Sequence, residues 1–340
     1  MKLNMQGIRI GYTPFESSEN AYTARTVEIL SRLGTVTKAP TLRSFLRSPL
    51  SYRPNSYEFI IANWIENSIV NHKGRLSIVG VLKFVLNVLL FNVLSRKTIF
   101  VRHNNYPHQT SPAASAYAAR IIDWAEMFFD YVVTHSGHNA TPKRKYIPHP
   151  LYKHSHSAEF AQNQQEDYFL IFGRILPYKK IETLVEVIPE NVRLVIAGSA
   201  PDKSYIEYLR GLAVAKEIQL IAEFVSDERA AQLCKSSRGI VITHNDNDMI
   251  VSGTFFYALS LGIPLYTIAT PFTEWACKTL EIPGLHVAKD IQSLCDAMTL
   301  STGPAKQLAA SEQSKVEQLF GDEVIETKWS EIFQTISINT

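Results

Sequence analysis

Short apolar, β-branched runs alternate along this chain with longer stretches of helical period. That alternation marks strand–helix–strand units and parallel sheets. In the first half, strands are expected at Ile8–Tyr12, Glu58–Ala62, Thr98–Arg102 and Tyr131–Thr134, with helical stretches at 20–33, 76–95 and 114–129. Around 151–166 the text turns polar (KHSHSAEFAQNQQE) and loses its period, as a linker does. A second series follows. Its strands are expected at Tyr168–Phe172, Arg193–Ala197, Gln219–Ala222, Gly239–Thr243 and Pro264–Ile268. Its helices fall at 180–188, 203–215, 227–236, 253–261 and 289–299, and 304–336 reads as two more. No unit of 20–50 residues repeats, which excludes a solenoid. The pattern predicts an α/β protein of two Rossmann-like, doubly wound domains facing a cleft. Residues 1–150 form the first domain, 151–166 the linker, 167–320 the second domain and 321–340 a final helix. Ligands of such sheets bind outside the carboxyl ends of the strands.

Composition narrows the class. The chain has 340 residues, 46% hydrophobic and 19% charged, which excludes a mainly disordered protein. A net charge of +2 argues against general nucleic-acid binding. Cys234, Cys277 and Cys295 are too few and scattered for a disulfide framework or a zinc site, which fits a reducing compartment. The opening residues MKLNMQGIRIGY lack the apolar core of a secretory signal, so a cytoplasmic protein is expected.

The most informative segment is Phe172-Gly173-Arg174-Ile175-Leu176-Pro177-Tyr178-Lys179-Lys180. A strand ends at Gly173, and Arg174 and Lys179 follow before the next helix. Two cations at a strand's carboxyl end suit a diphosphate, since Arg grips oxygens bidentately and Lys adds a point charge. Val195-Ile196-Ala197-Gly198-Ser199 is a strand running into a small-residue turn, and Phe224-Val225-Ser226-Asp227-Glu228 carries a helix cap in Ser226 or Asp227. Ser252-Gly253-Thr254 opens a helix, where backbone N–H groups favour an anion. In the first half, Phe100-Val101-Arg102-His103-Asn104-Asn105-Tyr106-Pro107-His108 ends a strand in polar residues.

The order and spacing of these segments resemble the donor-binding domain of nucleotide-sugar glycosyltransferases of the GT-B class. The likeness is to the family written G-R-x-x-P-x-K-G, then V-x-x-G, then L-E-A-x-A-x-G-x-P, and it covers residues 168–270 best. The resemblance implies that Arg174 and Lys179 hold the donor diphosphate, with Ser252, Gly253 and Thr254 beside it. Gly173, Gly198, Phe224, Val225 and Tyr257 would surround the nucleotide. Residues 100–108 are similar to the V-H-N/D-x-x-P-H text of bacterial exopolysaccharide and mannosyl transferases, which implies that His103 lies by the donor sugar. Asn20-Ala21-Tyr22 and Tyr146–Tyr152 echo the same proteins. The helix Val324–Ile336 with Trp329 resembles the closing helix that crosses back onto the first domain. Two departures stand out. Tyr257 occupies the place of the Glu in L-E-A, with Met249 eight residues earlier, so the paired glutamates of retaining members are missing; Asp246, Asp248 or Tyr257 are the available substitutes. Lys180 replaces the Gly that follows the motif lysine.

An inverting transfer needs a base for the acceptor hydroxyl. The loop Thr13–Glu19 offers Glu16 first, with Glu19 and His108 behind it; the plainer role for Glu19 is to support the start of a helix. GSAPDKS at 198–204 lacks the second glycine of a phosphate-binding P-loop, and no G-x-G-x-x-G follows the first strand. Asp246-Asn247-Asp248 reads as a polar loop, and His149, His154 and His156 as linker histidines. Neither a metal nor a cofactor is expected.

Leu76–Ser95 is 20 residues of mostly apolar text. Lys83 near its centre, with Asn87, Gly80 and Ser95 on the same arc, argues against a membrane span. It leaves either a packed domain helix or an interfacial one. Thr41–Pro54 adds Arg43, Arg47 and Arg53 among Phe45, Leu46, Leu50 and Tyr52, a mixture suited to anionic lipid or a polyprenyl diphosphate. Together these features predict a metal-independent hexosyltransferase, peripheral on the cytoplasmic face of the membrane. It would move a sugar from a UDP- or GDP-sugar to a glycan or lipid-linked acceptor in surface-polysaccharide synthesis. The rivals are an epimerase or hydrolase of the same fold and a catalytically silent sugar-nucleotide-binding subunit.

Overall fold

In the computed structural model, residues 7–15, 21–107, 110–154, 167–245, 250–301 and 307–337 are described. They fall into two compact units. Unit 1 draws on Met1–Pro150, Asp248–Val251 and Asp322–Thr340, and unit 2 on Leu151–Asn247 and Ser252–Gly321.

Unit 1 contains β1 (Arg9–Thr13), α1 (Ala21–Leu30), β2 (Thr35–Lys38), α2 (Leu42–Arg47), β3 (Tyr57–Asn63), α3 (Ile78–Leu94), β4 (Ser95–Arg102), α4 (Pro112–Ala125), β5 (Tyr131–Thr134) and β6 (Arg144–Tyr146). Its six strands are all parallel, in the order β2-β1-β3-β4-β5-β6. Strand alternation splits the core into two. Ile10, Tyr12, Phe59, Ile61, Ile99 and Val101 face Ile29 and Leu30 of α1. Ile60, Ala62, Phe100 and Val132 face α3 and α4 through Phe84, Phe91, Ala118 and Ile122. Being apolar on both sides, β3 and β4 read as continuous hydrophobic runs.

Unit 2 contains β7 (Phe169–Phe172), α5 (Ile181–Val187), β8 (Leu194–Ala197), α6 (Lys203–Leu212), β9 (Ile218–Ile221), α7 (Asp227–Ser236), β10 (Gly239–Ile242), α8 (Gly253–Ser260), β11 (Leu265–Ile268), α9 (Pro271–Trp275), β12 (Leu285–Ala288), α10 (Ile291–Leu300) and α11 (Ala310–Phe320). The sheet order is β12-β11-β10-β7-β8-β9, again all parallel. Counted within the unit this is the doubly wound order 3-2-1-4-5-6, whose direction reverses between β7 and β10.

The last helix, α12 (Asp322–Ser337), belongs to unit 1. Ile325, Trp329 and Phe333 complete the core under β1 and β3, with Trp329 fully buried and Phe333 packed on Phe59 at 4.2 Å between ring centroids. Asp322 in its first turn pairs with buried Arg25 and, at 2.7 Å, with Arg32, where an acid also suits the helix dipole. The expected return of the terminal helix to the first domain is therefore present.

Several elements depart from the sequence reading. β2, β6 and β12 were not expected; all three are short edge strands, β2 and β6 polar and largely open to water (TVTK, RKY) and β12 (LHVA) burying only Ala288. Gly80 does not share a polar arc with Lys83. It is buried against the backbone of the turn at Ile65–Ile69, where an added Cβ would stand 1.9 Å from Ser68 O. The polar arc proposed for α3 therefore does not exist, and Asn87 is only half exposed and caps α2 by accepting from Leu42 N at 3.3 Å. In an isolated helix Gly80→Ala would gain about 1 kcal/mol. Here the clash should outweigh that, lowering stability by about 1–3 kcal/mol in urea denaturation; an unchanged or raised midpoint would refute the packing described.

Candidate functional site

The reversal point of the second sheet carries a cationic crevice lined by Phe172, Lys179, Thr243, His244 and Thr254. It is built on the carbonyl of Phe172, the last residue of β7. Lys179 Nζ donates to this oxygen at 3.3 Å, and Thr254 Oγ1 donates to it at 3.4 Å. Thr243, just past β10, donates its hydroxyl to Lys179 O at 2.5 Å and so ties the Pro177–Lys179 turn to the neighbouring strand. Two glycines permit this closeness. Gly173 has φ +102°, and a Cβ there would sit 3.1 Å from Lys179 Nζ. Gly198 has φ +149°, and a Cβ there would meet Gly173 O at 2.1 Å. Only glycine fits either position.

Lys179 is the unusual group. It is 8% exposed, yet its ammonium has no carboxylate partner among the described residues. Burial, and then the nearby Arg174 guanidinium, pull it down to about 8. Arg174 itself is exposed. A buried cation without a counter-ion is costly unless something anionic completes it. Lys180 sits in the left-handed region, φ +53°, and its Nζ reaches Asn245 Oδ1 at 2.5 Å. This conformation explains why a glycine is the cheaper residue after the motif lysine.

Around this crevice the other expected residues divide. Gly253 begins α8, and its Cβ position would lie 3.2 Å from Tyr152 OH. Ser252 is the N-cap but makes no side-chain cap bond. Tyr257 packs on Phe172 with ring centroids 5.2 Å apart and edge-on to His154 at 5.0 Å. Its hydroxyl is buried without a partner among the described residues, and burial raises its pKa. Tyr152 and His154, expected in the linker, thus belong to unit 2. Phe224 is 83% exposed, whereas Val225 is buried. Asp246, Asp248 and Met249 lie outside the described residues.

Unit 1 gathers a second group at its own carboxyl edge. His103 follows β4 and is buried, with Trp64 stacked on it at 4.3 Å and Tyr22 edge-on at 4.8 Å. Asn63 ends β3 and donates its amide to Thr13 O at 3.2 Å, so its Oδ1 faces His103 Nε2 at 3.1 Å. That fixes a proton on Nε2 of His103. His135, just past β5, donates from Nδ1 to Ile147 O and accepts from Tyr22 OH, both at 2.8 Å. Burial pushes His135 down to about 4 and His149 well below its usual value. His149 is therefore no linker histidine but part of this cluster, 5.4 Å from the His135 ring. Glu66, in the turn after Trp64, is buried with Oε2 unpartnered among the described residues; burial pushes it up to about 7 against the pull of Arg102.

Asn63, Trp64, Glu66 and His135 escaped the sequence reading. Each lies at or just past the carboxyl end of β3 or β5, and that position was the available signal. Glu16, Glu19 and His108 lie outside the described residues.

No protein-family model and no curated protein matches the sequence. Solved structures do. Anabaena HepE bound to UDP-glucose is 13% identical, with TM-score 0.65 over 96% of this chain and all of that one. The lipopolysaccharide outer core galactosyltransferase WaaB is 12% identical, with TM-score 0.56 over 97% and 99% of the two chains. AviGT4, a glycosyltransferase involved in avilamycin A biosynthesis, is 13% identical with TM-score 0.56 over 98% and 99%. At that identity, what is shared is the fold, GT-B.

The histidine cluster sets an acid response. The unfolded chain takes up a proton on His135 below about 6.5 and the folded one only below about 4. The contribution of His135 to stability is full above pH 6.5, falls by about 3 kcal/mol as pH drops to 4 and levels below that, while the buried Glu66 carboxyl contributes with the opposite sign. In urea titrations the stability of the wild type relative to His135→Asn should fall by about that much between pH 7 and 4; a difference that does not change with pH would remove His135 as a cause.

Proposed function

We propose that this protein is a glycosyltransferase using a nucleoside-diphosphate sugar, and the observation that carries the reading is the buried, uncompensated Lys179 ammonium. A diphosphate supplies the missing negative charge. Arg174 beside it, and the N–H groups of Ser252, Gly253 and Thr254 at the start of α8, suit the remaining oxygens. As the glycosidic bond to the donor breaks, charge grows on the leaving diphosphate, and these fixed donors stabilise it. Tyr257, Gly198, Phe224 and Val225 are assigned to the nucleoside. HepE in complex with UDP-glucose is the solved neighbour that makes a UDP-sugar the first donor to try, with GDP-sugars next.

For the acceptor side we assign His103, oriented by Asn63 and Trp64, to the donor sugar. Glu16 is the base for the acceptor hydroxyl, with His108 as the other candidate. The acceptor would be a glycan or a polyprenyl-linked sugar at the cytoplasmic face of a membrane, in surface-polysaccharide synthesis; WaaB is described as acting on the lipopolysaccharide outer core. Tyr257, standing where a carboxylate would be, favours one rival: a subunit that binds the nucleotide sugar without turning it over.

Calorimetry with UDP and GDP tests the donor site. Lys179→Ala and Arg174→Ala should each weaken binding about 10- to 100-fold. In the free protein Lys179 loses its proton near pH 8. It is charged below that, so affinity should decline as pH rises past 8, and the decline should vanish in Lys179→Ala. Unchanged affinity in both variants would sink the assignment. Radiolabelled UDP- and GDP-sugars with membranes separate transfer from binding without turnover.

A further inference from the structure

The side of unit 1 formed by α2, α3 and α4 has an outer surface unlike that of a water-facing layer. All three helices lie on the same face of the sheet, the face of Ile60, Ala62, Phe100 and Val132. They are tied edge to edge: Leu42 N of α2 donates to Asn87 of α3, and Asn92 of α3 donates to Phe128 O, just beyond α4, at 3.0 Å.

Of these, α3 is apolar on both sides. Phe84, Val88, Phe91 and Leu94 face the core. Ile78, Val79, Leu82, Leu86, Leu89 and Val93 are 37–88% exposed. At 3.6 residues per turn those six fall within an arc of about 100°, running the whole length of about 25 Å. Lys83 and Asn92 flank the arc. The same surface continues into Leu46 and Leu50 on one side. On the other lie Tyr117, Trp124, Met127 and Phe128, all substantially exposed.

The charge around it has one sign. Residues 29–57 contain five Lys or Arg and no Asp or Glu; residues 67–122 contain seven and none. Arg43, Arg47, Arg53, Lys83 and Arg120 are exposed and make no ion pair among the described residues. The acids at the far end of α4 are occupied, Asp123 and Glu126 by Arg102 and Arg144.

We propose that the outer face of the α2–α3–α4 layer docks on an anionic phospholipid bilayer, with α3 lying in the plane of the interface. Apolar side chains in the acyl boundary, Trp and Tyr at headgroup depth and unpaired cations against phosphates are what such a surface asks for. Spanning is excluded for α3, because its other face is already core, and no helix among the described residues is long and apolar enough to cross a membrane. A second copy is the less favoured occupant. A two-fold contact would set Arg43, Arg47, Arg53 and Lys83 against their own copies. This inference goes beyond the donor-site reading and stands without it.

Vesicle flotation tests it. The protein should float with phosphatidylglycerol-containing vesicles and bind pure phosphatidylcholine about tenfold less well, with the difference shrinking at high salt. Leu82→Glu/Leu89→Glu and Arg43→Glu/Arg47→Glu, all at exposed sites, should each cut flotation by about tenfold or more. The urea-unfolding midpoint of each variant, measured without lipid, reports folding without reference to the donor site, and UDP calorimetry on the same samples keeps a failure here distinct from a failure of that site. Wild-type protein that stays at the bottom, variants that float equally well, or a wild-type dimer that Leu82→Glu converts to monomer would each overturn the proposal.

Discussion

A strand in a parallel sheet can be followed by another only through a crossover, so every strand delivers its carboxyl end to the same edge. Both sheets here obey that constraint without exception among their twelve strands. It brings Thr13, Asn63, Trp64, His103 and His135 together although they are spread over more than a hundred residues of chain. It likewise places Phe172, Gly198 and Thr243 side by side in unit 2. The helices that make the crossovers pack against the strands to build the three hydrophobic clusters. The residues left at the edge are free to be polar because packing does not recruit them.

Arg102 and Lys179, both buried, show how differently a protein can treat the same cost. Arg102 is almost fully buried and is answered twice, by Glu126 and Asp123, each at 2.6 Å. Carbonyls of Asn104 and Asn105 take its remaining donors. It is a structural ion pair, fixing the loop after β4. Lys179 is buried nearly as well and is answered only by one long bond to a carbonyl. Similar burial with unequal compensation separates a cation that holds the fold from one that, on the proposed reading, takes its counter-charge from a ligand.

How much of this was legible in the sequence follows from burial. Strands apolar on both faces, such as β3, β4 and β10, announced themselves. The unexpected β2 and β6 are polar edge strands open to water, so no hydrophobic run marks them, and β12 is an edge strand of four residues with only Ala288 buried, too short a run to stand out. The turn from Gly173 to Lys180 after β7 was readable because its parts are contiguous. The surroundings of His103 were not, because Tyr22 of α1, Trp64 after β3 and His135 after β5 reach it from three separate stretches of chain and no local pattern connects them. Gly80 misled for another reason. A glycine on a helical wheel looks polar-side by default, and only its neighbour's backbone reveals that it marks a close contact.

Lys179 also bears on the return half of any catalytic cycle. On the proposed reading, sugar transfer leaves a nucleoside diphosphate seated over that ammonium, with more negative charge than the donor carried. To leave, it must uncover a cation that the fold answers with one long bond to a carbonyl and that water reaches poorly. The crevice would thus favour retention of spent nucleotide, and turnover would be paced by product departure rather than by bond cleavage. A pocket tuned to hold its product has the makings of feedback: the nucleotide itself would report how much donor the cell has consumed.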